Sequence, residues 1–262
     1  MLIAQLVYPD LRIFVHRSII TNRENKMSDK TSTTIEDYLS LLYISERDGD
    51  AISGIRLAQL LGVSAPTVTN TLKRMVRDGL ITMDANHSPH LTPRGDELAR
   101  KVMRRHMLAE WMLVRMLSWS KVHHEAHGFE HTISEEVENA LFRELNEPLT
   151  CPHGNPLPGN EDAVSTWVPL TSLKEGDCVI IRRIHELAED IPELLAFLEE
   201  KLIEPGRQVR VVEVLPFNQT LTLRVGELCK SNEQKKAAHV PPETGELVTL
   251  GFSTARQIFG EV

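Results

Sequence analysis

Apolar positions recur at helical spacing along the run IEDYLSLLYISERDG, where Ile35, Leu39, Leu42 and Tyr43 share a face, Thr34 can cap the start and Gly49 supplies the stop. Two short helical segments follow, GIRLAQLLGV and SAPTVTNTLKRMVRDG, joined by a turn at Gly62 and Val63. Ser64 can cap the second, and Pro66 suits a first turn whose N–H groups have no helical partner. After Gly79 the period changes: LITMD, a polar tip ANHSPH and LTPRG predict two short strands around a loop, a wing beside a helix-turn-helix. A long amphipathic helix is expected from Arg94 to about Ser118, then helices over KVHHEAHGFEHTI and SEEVENALFRELN, the latter capped by Ser134 with Glu135 and Glu136 at its positive end. The Pro- and Gly-rich stretch EPLTCPHGNPLPGNED reads as a linker. Beyond it DCVIIRRI, QVRVVEVL and TLTLRV read as strands turning at Gly176, Gly206 and Gly226, with one helix, IPELLAFLEEKL, among them.

The pattern gives a mainly α chain with a β C-terminal domain. Its divisions are an N-terminal extension at 1–30, a winged helix-turn-helix at 31–98, a helical unit at 99–150, a linker at 151–165 and the β domain at 166–262. Met27 begins the polar run MSDKTSTT, of the kind that precedes a folded domain, and points to a translation start there. The opening apolar stretch is broken by Asp10, Arg12, His16 and Arg17, too early for a membrane span or a signal core. Cys151, Cys178 and Cys229 are odd in number and widely spaced, which fits a reducing, cytoplasmic setting better than a disulfide framework.

The formal net charge of -8 argues against nucleic acid, because a duplex rewards proteins that neutralise phosphates. Residues 54–105 reverse that conclusion locally, with nine basic side chains against four acidic ones, a net +5. The exposed side of SAPTVTNTLKRMVRDG carries Ser64, Thr67, Thr69, Asn70, Lys73, Arg74 and Arg77. Hydroxyls near a helix start can bond phosphates, and an amide such as Asn70 can read a base edge.

Five of the eleven histidines fall between positions 106 and 131. His123, His127 and His131 recur every four residues on one helix face, Glu130 flanks them, and His106 with Glu110 makes a second i, i+4 pair on the preceding helix. Two such helices facing each other can close around a metal, and imidazole with carboxylate suits Mn(II), Fe(II) or Zn(II). A different chemistry is open as well. His127-Gly128-Phe129-Glu130-His131 fits H-x-x-E-H, the inverted zinc-peptidase motif, with Glu199 or Glu200 as the third ligand. Its setting after a helix-turn-helix and wing places it second.

Taken together, IEDYLSLLY, LGVSAPTVTNTLKRMVRDGLI, LTPRG, MRRHMLAE, KVHHEAHGFEH, SEEVE and CPHGNPLPG make residues 33–159 resemble the diphtheria toxin repressor family of iron- and manganese-dependent regulators. The last third resembles the SH3-like, ferrous-transport-associated domain of longer members. The resemblance implies a repressor of metal-uptake genes that dimerises on palindromic double-stranded operator DNA, with two metal sites per subunit. A regulatory site would use Asp37, His127, Glu130 and His131. An ancillary site would use His106, Glu110 and His123, with Asp190 and Glu193 from the stretch EDIPE. Ser64, Pro66 and Asn70 would approach base pairs while Thr67, Thr69, Arg74 and Arg77 hold phosphates. Iron-responsive members carry Met and Cys where this chain has Asp37 and His127, and Ser40 replaces a Glu found in some manganese sensors. The hard carboxylate at position 37 favours Mn(II), with Fe(II) the alternative.

Overall fold

The computed structural model describes residues 31–226 and 245–262; the expectations for residues 1–30 and Cys229 lie outside them. Helix α1 (Thr33–Arg47) starts two residues earlier than its pattern suggests, with Ser32 rather than Thr34 at the N-cap. It buries Ile35, Leu39, Leu42 and Tyr43 together with Tyr38. The helix-turn-helix follows as α2 (Gly54–Leu60) and α3 (Ala65–Arg77), and Gly62 at φ 63° makes the left-handed turn between them. Ser64 Oγ caps α3 by accepting from the Thr67 N–H at 3.3 Å. Strands β1 (Ile81–Met83) and β2 (Pro89–Leu91) pair antiparallel as the wing.

Helix α4 (Pro93–Leu113) ends before Ser118: the chain turns away at Val114, and a single 3-10 turn at Trp119–Lys121 leads into α5 (Val122–Glu130). α6 (Glu135–Glu144) is capped by Ser134. α1, α3, α4 and the wing enclose one core built on Tyr38, Leu39, Leu42, Leu57, Met75, Ile81 and Met107.

The C-terminal part is a six-stranded antiparallel sheet in the order β3-β8-β4-β5-β6-β7, formed by β3 (Val168–Pro169), β4 (Cys178–Ile184), β5 (Gln208–Leu215), β6 (Thr220–Val225), β7 (Glu246–Gly251) and β8 (Ile258–Glu261). Helices α7 (Glu186–Glu189) and α8 (Pro192–Glu200) follow β4, and α9 (Phe252–Ala255) precedes β8. Alternate residues of β4, β5 and β6 point into its core, which includes Val179, Ile181, Val209, Val211, Leu221 and Leu223. Cys178 is disulfide-bonded, so the reading of unpaired cysteines holds among the described residues for Cys151 alone, which is free and buried.

The segment read as a linker opens instead as a buried hairpin. Residues 151–157 are all buried, and Thr150 bridges to Pro156. Pro and Gly here make a tight turn rather than a spacer. Gly154 sits at φ 91°, where an added Cβ would lie 1.9 Å from the Arg182 carbonyl oxygen of β4. Donors from both sides tie the hairpin down: Trp111 Nε1 to Thr150 O at 2.7 Å, Trp119 Nε1 to Pro152 O at 3.0 Å, and Ile184 N to His153 O at 2.8 Å. Among the described residues no helix is long and apolar enough to cross a membrane.

Candidate metal centres and DNA-facing helix

Helices α4 and α5 pack side by side, which turns their His and Glu side chains towards each other, and α1 closes over them. The first constellation gathers Asp37, His127, Glu130 and His131. Asp37 Oδ1 lies 3.3 Å from His131 Nε2 and 3.9 Å from His127 Nε2, while Glu130 Oε1 lies 3.2 Å from His127 Nδ1 and 3.3 Å from His131 Nε2. Glu36, one residue before Asp37, meets His131 Nδ1 at 2.6 Å. That contact orients the ring so that Nε2 faces the cluster, the arrangement by which carboxylates fix metal-binding imidazoles. The signal for Glu36 in the sequence was only its position beside Asp37.

These residues fit a divalent ion. Asp37 Oδ1 is buried with no hydrogen-bond partner, and burial raises the Asp37 pKa against the pull of His127 and His131. Burial likewise works to raise Glu130, but hydrogen bonds with His106 and His127 outweigh it and bring its pKa down to about 2. The donors are hard oxygen and borderline nitrogen, with no sulfur.

The second constellation lies deeper. Glu110 Oε1 is 3.0 Å from His123 Nδ1, 3.3 Å from His106 Nε2 and 3.3 Å from His153 Nδ1. His106 joins the two constellations, because its other nitrogen, Nδ1, contacts Glu130 at 2.5 Å. Burial alone would lower the His106 pKa; hydrogen bonds with Glu110 and Glu130 overcome it and push it up to about 10 in the ion-free protein.

The two residues expected from EDIPE behave differently. Asp190 is exposed but its Oδ1 reaches His123 Nε2 at 3.2 Å, where it orients the ring. Glu193 is exposed on the first turn of α8 and joins no donor cluster among the described residues. The inward face of this short stretch is set one turn earlier, on α7, where Glu186 and Glu189 stand three apart and are both buried. Glu189 Oε2 lies 2.9 Å from His123 Nδ1 and 3.2 Å from His153 Nδ1, and burial raises its pKa to about 7. Cys151 and His153 of the hairpin also reach this centre, in a group with Glu110 and Glu189. The Cys-Pro-His spacing, two donor side chains within a turn, was their only mark in the sequence.

On α3, Ser64, Pro66, Thr67, Thr69, Asn70, Arg74 and Arg77 are all exposed along one side, with Val68, Leu72 and Met75 buried on the other. Arg77 and Arg74 reach Asp78 at 2.9 and 3.6 Å, and Thr69 donates back to the Ala65 carbonyl at 3.0 Å.

The H-x-x-E-H residues are engaged otherwise than in a peptidase. Glu130 is held by His106 and both flanking histidines, and the remaining carboxylate of the cluster is Asp37 from α1. Glu199 accepts from Ser120 at 2.5 Å, and Glu200 is exposed beside Lys201 at 3.1 Å; neither is a third ligand.

A winged helix whose first helix lends a carboxylate to a His and Glu cluster, in which Glu130 is buried and His127 is exposed, defines a metal-responsive DNA-binding protein. Residues 30–87 match the iron dependent repressor N-terminal DNA binding domain, residues 92–159 its metal binding and dimerisation domain, and residues 168–262 the FeoA domain. The chain belongs to the diphtheria toxin repressor family, whose members are DNA-binding transcriptional repressors and not enzymes. It is 37% identical over 218 residues to the iron-dependent repressor IdeR of Mycobacterium leprae, covering 75% of this chain and 94% of that protein. To the diphtheria toxin repressor of Corynebacterium diphtheriae it is 42% identical over 201 residues, 71% of this chain and 87% of that one. Among solved structures, a manganese-dependent transcriptional repressor in complex with manganese superposes with a TM-score of 0.71 at 26% identity, covering 86% of this chain and 98% of that one.

Proposed function

We propose that this protein is a cytoplasmic transcriptional repressor of metal-homeostasis genes that binds palindromic operator DNA as a homodimer when loaded with Mn(II), with Fe(II) the alternative signal. The observation that carries this reading is Asp37: α1 leads directly into the helix-turn-helix, yet Asp37 meets three side chains of the α5 segment. A bound divalent ion supplies the positive charge that lets Asp37, Glu130 and the two imidazoles share one point without repulsion. Asp37 then fixes α1 against the helical unit. α1 in turn positions the DNA-facing parts, since Glu46 Oε1 accepts from the Leu91 N–H of the wing at 2.9 Å. A dimer has to present its two α3 helices about 34 Å apart to reach successive major grooves, so the seating of α1 governs operator binding.

The deeper centre, formed by His106, Glu110 and His123 with Glu189 of α7, is read as the ancillary site, and it ties the β domain to the helical unit. On α3, Ser64, Pro66 and Asn70 are assigned to base pairs and Thr67, Thr69, Arg74 and Arg77 to phosphates. For the dimer, exposed Met116, Leu117 and Phe129 supply apolar surface at the ends of α4 and α5. The test is Asp37→Ala in a gel shift on promoter DNA. The variant is expected to remain a folded dimer and lose metal-dependent binding; unchanged metal dependence would overturn the reading.

A further inference from the structure

After the hairpin the chain passes back over the helices before it enters the β domain. At its 3-10 turn, Glu161–Val164, the Glu161 carboxylate sits between α1 and α4. Oε1 accepts from the Tyr43 hydroxyl of α1 at 2.7 Å and from Arg100 Nη1 of α4 at 2.7 Å, while Oε2 accepts from the Gly159 N–H at 3.0 Å. Three donors on one carboxylate hold it in a single orientation. Its partners are themselves fixed. Tyr43 is buried, and the Arg100 guanidinium lies over its ring, 5.2 Å from the centroid, while Arg100 Nε donates to Asp96 at 2.8 Å.

The place of this contact along α1 matters for DNA binding. Tyr43 lies six residues after Asp37, about 9 Å further along the helix axis. Asp37 alone fixes a point on α1, and a helix held at one point can still pivot. Packing of Leu39 and Leu42 keeps α1 in the core without setting its direction, because apolar burial is non-directional. Directional bonds at the far end set the axis: Asp48 ties that end to the β domain, and Glu161 ties it to α4. Glu46, three residues after Tyr43, lines the same cleft of about 220 Å³ and accepts from the Leu91 N–H of the wing at 2.9 Å. The part of α1 that Glu161 holds is therefore the part that carries the wing. The ion pair itself adds little to the fold, since the Arg100 and Glu161 side chains are 39% and 32% exposed and pairs this open are weak.

We propose that Glu161 is a positioning residue for metal-dependent DNA binding: by bridging Tyr43 and Arg100 it locks the far end of α1 to α4, so that the seat a metal imposes through Asp37 reaches the wing and α3. The inference rests on the metal-responsive reading above. Its signature is a loss of coupling. Coupling between two sites of one protein usually amounts to about 5–150-fold in affinity, and it is reciprocal. Without Glu161 the gain in DNA affinity on adding Mn(II) falls, and the gain in Mn(II) affinity on adding DNA falls by the same factor.

The experiment uses the full-length, metal-stripped chain and labelled promoter DNA, with fluorescence anisotropy reading DNA binding and calorimetry reading Mn(II). Each is titrated with and without the other, at low salt, where metal-free DNA binding is strong enough to measure. Glu161→Ala is expected to lower the coupling about tenfold, with metal-free DNA binding and DNA-free Mn(II) binding unchanged. Tyr43→Phe is expected to lower it by less, because the Arg100 contact stays, and the double variant to be no worse than Glu161→Ala, because both remove the same contact. Glu161→Gln keeps the volume and an acceptor oxygen and is expected to recover most of the coupling. Unchanged coupling in Glu161→Ala or in Tyr43→Phe, or an equal fall in DNA affinity with and without Mn(II), would overturn the role of Glu161 and leave the repressor reading intact. An unmutated chain whose DNA affinity does not respond to Mn(II) would overturn that reading itself.

Discussion

Asp48, immediately after α1, joins the DNA-binding unit to the β domain, and the effect of its removal can be worked out from the contacts it makes. Its carboxylate meets Arg47 Nη2 at 2.8 Å, Arg183 Nη2 of β4 at 2.7 Å and His185 Nε2 at 2.9 Å, and the side chains of Asp48 and Arg183 are 13% and 6% exposed. Removing one partner of a buried ion pair costs about 3–5 kcal/mol, because the other charge stays desolvated. Asp48→Ala leaves Arg183 with the Asn155 Oδ1 contact at 2.6 Å and the Phe259 ring at 4.9 Å. The expected loss is therefore at the lower end, about 3 kcal/mol, roughly a hundredfold in the folding equilibrium. Asp48→Asn keeps an acceptor oxygen and the volume, and loses about 1–2 kcal/mol. Urea unfolding at neutral pH, followed by tryptophan fluorescence, measures both. The dependence on pH has a defined sign. Burial raises the Asp48 pKa, but hydrogen bonds from His185 and Arg47 outweigh it and hold the carboxyl far below its usual range. A lowered folded-state pKa gives stability that is complete above the unfolded value, about 4, and is lost as pH falls towards the folded one. The advantage of the unmutated chain over the Asp48→Asn variant should shrink below pH ~4. A loss under about 1 kcal/mol for Asp48→Ala would refute the account of this junction.

Glu36→Gln should weaken metal binding at the Asp37 site by about 10–100-fold, the usual cost of losing an orienting carboxylate, with little effect on the fold; calorimetric titration with Mn(II) in a Glu36→Gln chain tests it, and an unchanged affinity counts against the role of Glu36. His106 is raised to about 10 when ion-free, so its contribution to stability is complete below about 6.5 and fades as pH rises through 10. Melting temperature of the stripped protein should fall across that window, and metal uptake at neutral pH should release protons, visible as a buffer-dependent heat. Arg74→Ala should lower DNA affinity about equally on all sequences and reduce the slope of log K against log salt by about 0.9 per subunit, about 1.8 for the dimer; a change in base preference would place Arg74 elsewhere.

The helix-turn-helix, the wing and the His and Glu stripe of α5 were legible because each is a local pattern: a helical period, a cap, a spacing of four. Asp37 carries no such mark. It lies 90 residues before His127, and only the family resemblance named it as a partner. Asp190 and Glu193 came from the family resemblance, and the four residues of α7 give periodicity too little length to point to Glu186 and Glu189. The hairpin reads as a spacer in the sequence because Pro and Gly mark both loose linkers and tight turns, and burial of residues 151–157 depends on elements distant in the chain. β8 leaves no trace in the pattern because four residues ending in Gly-Glu show no alternation, although the strand sits between β3 and β4 in the sheet.

The most direct test of the central claim is fluorescence anisotropy of the stripped protein on labelled promoter DNA, titrated with Mn(II), then anaerobically with Fe(II), then with chelator. The account predicts no binding without metal, saturable binding once Mn(II) is added, and release by chelator. Equal binding with and without metal would contradict it.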